Sequence, residues 1–495
     1  MAVIDPWTSG DGGIMSSDSQ AYTSASELAE QIRSRHVSPV EVVEAALRRI
    51  DASQPILNAF ITVARDEALD DARKAEDAIT RGGDLGPLHG VPFSVKDLVN
   101  TRGVRTTMGS LIFEHNVPDR DAIAVARLRA AGAIMIGKTT TPEFGHKPFT
   151  RAPLFGDTPN AWDRDRIAGG SSGGAAVAAA AGLAPLNVGT DGGGSIRIPA
   201  AANGIVGLKA TLGTIPHDAA PDSFGANIYV GPMTRTVTDT ALMLQAMAGP
   251  HPSDAHSLGR RAQDYVKAAA VPGDLEGKKI AWRPLLGNDV VDSEVQAITY
   301  GAARAFEEAG ATLVEVDDGF VTPEPFWRVL SQAAWRSRFG DYVDEWGDRM
   351  TPTFLRSITE ASDYSADELQ KAIYQRTELF REVQGWFDEF DLVMTPTLSR
   401  TALESDMDLY DPVVIEGEDI GIIRQNWYPY THPFNLTGHP AITLPAGFAG
   451  DELPVALQIV GRYADDAAVI RAAALFEQLR PWTDRTPDIP EISGL

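Results

Sequence analysis

The sequence predicts an α/β protein, a single large domain with a central mixed, mostly parallel β-sheet flanked by helices. Short apolar runs alternate along the chain with longer segments of helical period, a pattern typical of a sheet covered by helices. The 495 residues are 43% hydrophobic and 22% charged, which supplies enough apolar material for one large core. We find no internal repeat of the kind that indicates a solenoid.

Local patterns predict each element in turn. S-x-x-E capping boxes at Ser24 and Ser38 begin two helices that reach about Arg35 and Ile50, and a charged helix covers residues 65–80. Apolar runs then predict strands at 91–95, 133–137, 185–190, 204–208, 279–283, 312–316, 391–394, 441–445 and 455–460. Helical patterns predict helices near 121–131, 173–181, 236–248, 292–309, 366–388 and 464–478.

The charge balance restricts the expected partners. The chain has 43 Lys and Arg residues against 68 Asp and Glu, a formal net charge of −25. No basic surface is left to neutralise phosphates, so we expect neither nucleic acid nor an anionic membrane as a partner. The balance suits neutral or cationic substrates, although it disfavours an anionic substrate only weakly, because a pocket has its own charge. The lack of cysteine excludes disulfides, thiolate zinc sites and a cysteine nucleophile.

The termini and loops add further expectations. The first residues, MAVIDPWTSGDGG, have neither the basic nor the apolar region of a secretory signal, and no apolar run approaches the ~18–20 residues of a membrane span. We therefore expect a cytoplasmic protein with a disordered or extended arm at residues 1–20. The acidic segment 403–425 is expected to be either a solvated loop or a lid or wall of a pocket.

Residues 132–139, GAIMIGKT, match the GxxxxGK[ST] pattern of phosphate-binding loops letter for letter. That function needs a flexible loop whose amides wrap a phosphate, with a helix after it. Here the intervening residues are apolar and a helical pattern precedes them. We interpret the segment as a buried strand and not as a nucleotide site.

Residues 169–174, GGSSGG, fit the G-x-S-x-G nucleophile elbow around both Ser171 and Ser172. An elbow needs a strand before the serine, and the preceding segment 162–166 is polar. An α/β-hydrolase esterase with a histidine triad is therefore the weaker alternative. Its histidine candidates are His217, His251, His256, His432 and His439. No HExxH pair or metal-ligand spacing is present in the sequence, so we expect no metal and no cofactor.

A second glycine run, GTDGGGS, occupies residues 189–195 after a predicted strand. Three glycines before a serine let consecutive N–H groups point to one side, which makes an anion hole beside the Ser195 hydroxyl. Such a serine needs a base. Lys96 ends the apolar run GVPFSVK, where burial would lower its pKa, and Ser–Lys pairs are a known replacement for Ser–His. Composition alone does not join these segments.

Together, the motifs closely resemble the core of the amidase signature family. The resemblance rests on GGSSGG and GTDGGGSIRIPAAANGIVGLKAT, and it extends to HGVPFSVKD, GKTTTPEF, PFNLTGHPAITLPAGF and ELPVALQIVGRY, so it covers most of the chain. It implies the amidase signature fold for residues 21–495, with a catalytic core at about 85–215 and a variable, pocket-forming region at about 250–435.

The resemblance also implies a Ser–Ser–Lys triad. Ser195 would be the nucleophile, Ser171 the bridging serine after a cis peptide bond, and Lys96 the base that receives the proton relayed through the serines. The implied oxyanion hole is Gly192, Gly193 and Gly194 with the Ser195 amide, and the implied supporting residues are Ser172, Thr190 and the ion pair of Asp191 with Arg197.

We therefore expect a serine hydrolase that cleaves the C–N bond of small neutral amides, aryl or aliphatic, with anilides and carbamates included, as a monomer or homodimer. The alternative is the glutaminase subunit of a tRNA-dependent amidotransferase, but such subunits usually carry Thr and Gln at the positions of Gly192 and Ile198. We expect segments 106–110, 140–150, 328–340 and 425–435 to form the pocket, with Trp327, Trp335, Trp427 and Tyr428 as candidate substrate contacts.

Overall fold

The computed structural model describes residues 21–317 and 319–495, so the arm expected at residues 1–20 lies outside the described residues. The helices are α1 (Ala25–Arg33), α2 (Pro39–Leu57), α3 (Arg65–Thr80), α4 (Ile123–Ala130), α5 (Gly173–Ala180), α6 (Arg197–Asn203), α7 (Val237–Met247), α8 (Tyr265–Ala270), α9 (Ser293–Arg304), α10 (Glu324–Phe339), α11 (Val343–Trp346), α12 (Pro352–Glu360), α13 (Ala366–Trp386), α14 (Ile423–Asn426), α15 (His432–Thr437) and α16 (Asp466–Leu479). The strands are β1 (Phe60–Val63), β2 (Pro92–Lys96), β3 (Ile134–Thr139), β4 (Arg151–Ala152), β5 (Gly156–Asp157), β6 (Leu186–Asp191), β7 (Val206–Lys209), β8 (Tyr229–Thr234), β9 (Lys279–Trp282), β10 (Thr312–Glu315), β11 (Leu392–Pro396), β12 (Pro412–Ile415), β13 (Glu418–Ile422), β14 (Ala441–Phe448) and β15 (Pro454–Gly461).

An 11-stranded mixed sheet forms the centre of the molecule, in the order β1-β3-β2-β6-β8-β7-β14-β15-β11-β9-β10. The predicted fold class, one large α/β domain with a mixed sheet, is confirmed. The expected excess of parallel pairs is wrong, because parallel pairing is confined to β3-β2-β6 and β11-β9-β10. The five-residue connection between β14 and β15, residues 449–453, is too short for a helical crossover, so these strands form an antiparallel hairpin.

All the strands and helices predicted from the sequence are present. The prediction missed β8, in which Gly231 and Pro232 interrupt the apolar pattern although the strand lies between β6 and β7. The cap of α2 is the predicted capping box, in which the Ser38 hydroxyl accepts from the Val40 amide and the Glu41 carboxylate accepts from the Ser38 amide. Local chemistry therefore sets most element boundaries.

Two sequence motifs have the structural roles that their residues indicate. The segment that matches the phosphate-loop pattern contains strand β3, and Lys138 is buried there, where it donates to the Val99 carbonyl and to two threonine hydroxyls. The acidic segment 403–425 is a packed hairpin, β12–β13, whose side chains Leu403, Val413 and Ile415 are buried. The solvated-loop interpretation is therefore wrong for these side chains.

Within the described residues, no helix combines the length and apolar character that crossing a bilayer requires.

Candidate active site

The sheet and one helix bring the candidate residues to a single edge. Strands β2 and β6 are parallel neighbours, so their carboxyl ends meet there. Lys96 is the last residue of β2, and Thr190 and Asp191 end β6. Helix α5 precedes β6 and begins at the same edge, which places Ser171 and Ser172 beside Lys96.

The glycines after the two serines allow this close approach. A Cβ atom on Gly173 would lie 2.2 Å from the Thr150 hydroxyl oxygen, and one on Gly174 would lie 2.3 Å from the Thr140 hydroxyl oxygen. Every residue of α5 is buried, so neither neighbour has free space to move into. The small residues of GGSSGG are therefore required to seat the helix under the sheet edge.

Lys96 is fully buried among hydroxyl groups. Its Nζ atom lies 2.7 Å from Ser171 Oγ, 2.8 Å from Ser172 Oγ and 2.9 Å from Thr190 Oγ1. Burial lowers the pKa of Lys96 well below its usual value, and the charge of Asp191 offsets only part of that shift. A lysine in this setting exists as a neutral amine near neutral pH and can accept a proton from the hydroxyl nearest to it.

The two serines at the helix start have different partners. Ser171 follows a cis peptide bond from Gly170, as the resemblance implies, and its hydroxyl contacts Lys96. The Ser172 hydroxyl donates to the Thr190 carbonyl at 3.1 Å, and the Ser172 amide donates to the Ser195 carbonyl at 3.2 Å. Ser172 therefore ties the helix start to the loop that carries Ser195.

Ser171 and Ser195 line the same cavity. The first link of the expected relay, between Lys96 and Ser171, is a hydrogen bond. Among the described residues, the Ser195 hydroxyl has no hydrogen-bond partner, so the second link, from Ser195 to Ser171, is open in this structure.

The glycine run between Asp191 and Ser195 corrects one expectation. The Gly194 amide donates to the Asp191 carboxylate at 2.6 Å, so it does not face an incoming oxyanion. The reason is local: the Asp191 side chain folds back under the turn and takes the amide that follows the second glycine. The amides of Gly192, Gly193 and Ser195 have no acceptor among the described residues, and these are the donors that the loop leaves open.

Asp191 and Arg197 form the buried ion pair that the resemblance implies. Arg197 Nε lies 3.0 Å from Asp191 Oδ2, its Nη2 lies 3.1 Å from Oδ1, and neither side chain is exposed. Burial alone would raise the pKa of Asp191, but Arg197 and the amide of Asn435 outweigh it and hold that pKa below its usual range. The pair therefore fixes the end of β6 and the start of α6 on either side of Ser195.

A cavity of about 180 Å³ opens over the serines. Three of the four aromatic candidates, Trp327, Trp335 and Tyr428, line it, together with Phe144 and Phe339. Each expected pocket segment contributes at least one lining residue, whereas no residue of the 403–425 hairpin does. The lid or pocket-wall interpretation of that hairpin therefore has no support in this structure.

The fourth aromatic candidate lies elsewhere. Trp427 is fully buried in the core and donates to the carbonyls of Arg400 and Thr401. Sequence reasoning also missed lining residues on the connection between β7 and β8, among them His217 and Asn227. No local pattern in that segment marks it as part of a site.

Comparison with known proteins settles the family. A family model described as Amidase matches residues 41–470. The chain belongs to the amidase family. It is 39% identical over 469 residues to an acylamidase from Rhodococcus erythropolis, a match that covers 94% of this chain and 97% of that protein. It is 35% identical over 484 residues to a glutamyl-tRNA(Gln) amidotransferase subunit from Carboxydothermus hydrogenoformans, covering 92% and 97%.

Among solved structures, this amidase is similar to a bacterial aryl acylamidase of the amidase signature family. The TM-score is 0.86 at 33% identity, and the match covers 94% of this chain and 97% of that one. The predicted family and activity are confirmed: the protein is an enzyme that hydrolyses the C–N bond of amides.

The family assignment also overturns the α/β-hydrolase alternative. Among the described residues, no histidine forms a hydrogen bond with Ser171, Ser172 or Ser195. Of the candidates, His432 is buried behind Trp327, with ring centroids 4.7 Å apart, and His439 bonds to Thr437 and Gln384. In this amidase the amine of Lys96 occupies the place that the esterase mechanism gives to an imidazole.

Proposed function

We propose that this amidase captures the acyl group of a small amide on Ser195, with Ser171 as the proton carrier and Lys96 as the base. One observation carries the proposal: a fully buried lysine amine lies 2.7 Å from the Ser171 hydroxyl, in surroundings that lower its pKa. A lysine held as a charged structural group would be expected to pair with a carboxylate, and the hydrogen-bond partners of Lys96 are hydroxyl groups and a carbonyl.

The reaction then proceeds in two half-steps. Lys96 accepts the proton of Ser171 while Ser171 accepts that of Ser195, and the Ser195 oxygen attacks the carbonyl carbon. As the tetrahedral adduct collapses, Ser171 returns a proton to the nitrogen, because an amine cannot leave as an anion. Water hydrolyses the acyl-enzyme by the reverse path. The hydrogen bond from Ser195 to Ser171 has to close in the substrate complex, as is common for catalytic contacts that are open in the unliganded enzyme.

The negative oxygen of the adduct needs donors. We assign this role to the amides of Gly192, Gly193 and Ser195, which have no acceptor among the described residues. In other acyl-transfer enzymes each such donor contributes roughly 3–4 kcal/mol to the transition state. Asp191 and Arg197 hold the loop in place, and Ser172 and Thr190 hold the amine of Lys96.

The substrate class follows from the cavity and the relatives. An aromatic wall favours an apolar aryl or alkyl group beside the scissile bond, and relatives of this chain carry the names acylamidase and aryl acylamidase. We therefore propose that the substrates are small amides, with anilides as the first to be tried. We further expect the enzyme to act in the cytoplasm as a monomer or homodimer.

The second candidate is a subunit of an amidotransferase complex, which the likeness to a glutamyl-tRNA(Gln) amidotransferase favours. Against it, Gly192 and Ile198 both line the cavity, where such subunits usually carry Thr and Gln, so the wall offers fewer partners for the polar end of glutamine.

Steady-state assays of the purified single chain separate the two candidates. We expect the wild type to release aniline from acetanilide or butyranilide, and the Ser195→Ala variant to lose this activity. A chain that releases ammonia from glutamine only in the presence of partner subunits, and that leaves anilides intact, would favour the amidotransferase function.

A further inference from the structure

The cavity wall carries charges of the opposite sign to the chain as a whole. The net charge is −25, yet no Asp or Glu of the described residues lines the cavity above Ser195. Four basic or imidazole side chains do: His146, Lys147, His217 and Arg338.

Three of these four side chains carry no free positive charge. Lys147 pairs with Asp408 at 2.9 Å, so its charge is balanced. Burial lowers the pKa of His146 well below its usual value, and both of its ring nitrogens lie in hydrogen bonds. Burial likewise lowers the pKa of His217, which leaves that ring neutral at neutral pH.

Arg338 differs from them. It lies near the end of α10, its side chain is exposed, and its guanidinium carbon is 5.0 Å from the centre of the Phe339 ring. Within residues 21–317 and 319–495, no carboxylate forms an ion pair with it. The side-chain amides of Asn100 and Asn227, which also line the cavity, have no hydrogen-bond partner among the described residues. The wall therefore presents one unbalanced cation and further polar groups beside aromatic rings.

Building on the proposed function, we propose that Arg338 binds an anionic substituent of the substrate. The preferred substrates are then aryl or alkyl amides that carry a carboxylate away from the scissile bond. A guanidinium presents paired N–H donors that match the two oxygens of a carboxylate. A substrate with this group would reach the cavity although the rest of the surface repels it, because the interaction acts at short range within the wall.

Matched substrate pairs test this inference. One pair places the carboxylate on the acyl side, succinanilate against butyranilide, and the other places it on the amine side, 4-acetamidobenzoate against acetanilide. For each pair, the measured quantity is the ratio of kcat/KM for the anionic amide to that for the neutral amide. The ratio cancels effects of a substitution on folding or on the chemical step.

The variants are Arg338→Gln, Arg338→Lys and, as a control, Arg336→Gln. Arg336 is exposed on the same helix but does not line the cavity. We expect Arg338→Gln to lower the ratio about tenfold for at least one pair. Arg338→Lys should restore much of it, and Arg336→Gln should leave it at the wild-type value. A ratio unchanged in Arg338→Gln for both pairs, or lowered equally by Arg336→Gln, would overturn the inference.

A binding measurement separates this inference from the proposed function. Calorimetry on Ser195→Ala and on Ser195→Ala combined with Arg338→Gln compares the affinity for succinanilate and butyranilide without turnover. Selective loss of succinanilate affinity in the double variant supports the role of Arg338 even if the wild type hydrolyses none of the four amides. Equal affinities in both variants contradict it even if neutral anilides are hydrolysed.

Discussion

The indole nitrogen of Trp327 donates a hydrogen bond to the carbonyl oxygen of Gly192 at 2.9 Å. In a trans peptide the C=O of one residue and the N–H of the next point in opposite directions, so this bond orients the Gly193 amide. Thr431 acts in the same way one residue later: its hydroxyl donates to the Gly193 carbonyl at 2.6 Å, and the Gly194 amide points to Asp191. A residue of the cavity wall thus sets the direction of a proposed oxyanion donor.

Replacing Trp327 with Phe should therefore reduce kcat more than it changes KM, because the ring remains in the wall while the bond to Gly192 is lost. We expect a loss of about tenfold to hundredfold, less than or equal to the removal of a whole oxyanion donor. Trp335→Phe is the matched control, since Trp335 lines the same cavity and its indole nitrogen makes no hydrogen bond with the described residues. Equal kcat losses in both variants would contradict the positioning role of Trp327.

Gly192 and Gly193 should respond differently to alanine. A Cβ atom on Gly192 would meet only Ile228, at 3.6 Å, whereas one on Gly193 would lie 2.6 Å from the Trp327 ring. We expect Gly192→Ala to fold normally and to raise KM for bulky acyl groups more than for acetyl, because the added methyl group narrows the cavity. Gly193→Ala should lower activity on every amide. Thermal unfolding and a series of acyl chain lengths measure both effects, and the same length dependence in Gly192→Ala as in the wild type would refute the first.

Asp191→Asn should destabilise the fold. The substitution leaves the buried guanidinium of Arg197 without its counter-charge, which in other proteins costs about 3–5 kcal/mol. Urea unfolding followed by circular dichroism measures the loss of unfolding free energy. Asp70→Asn is a suitable control, because its ion pair with Arg73 is exposed and should contribute little. Similar losses for the two variants would contradict the structural role given to the buried pair.

The pH dependence should report Lys96. The proposed base works only as a neutral amine, so kcat/KM on an uncharged anilide should rise as pH increases through the lowered pKa of Lys96 and then level off. Without that lowering, the rise would fall near pH ~10. Lys138→Met removes an equally buried lysine on the neighbouring strand and should preserve the rising limb. An activity that climbs only near the usual lysine pKa would contradict a neutral Lys96.

The sequence predicts best what depends on neighbouring residues. The end of β2, the start of α5 and the turn after β6 each have a local signal, so Lys96, Ser171 and Ser195 could be singled out before their contacts were known. The likeness to a family then joined them, since no spacing rule brings residues so far apart in sequence to one sheet edge.

What the sequence did not predict depends on contacts over long separations or on side-chain direction. The donation from the Gly194 amide to Asp191 is set by how one carboxylate turns, and no residue pattern records it. Trp327 and Arg338 reach the cavity from a helix that begins more than a hundred residues after Ser195. The numerous antiparallel pairs follow from short connections, which apolar periodicity does not distinguish from crossovers.

The central claim is that Ser195 carries the acyl group. Rapid quenching of the wild type with a slowly hydrolysed anilide, followed by proteolysis and mass spectrometry, tests it most directly. We expect an acyl adduct on the peptide that contains Ser195, absent in Ser195→Ala and greatly delayed in Lys96→Met. An adduct on Ser171 or Lys96, or one that still forms in Ser195→Ala, would contradict it.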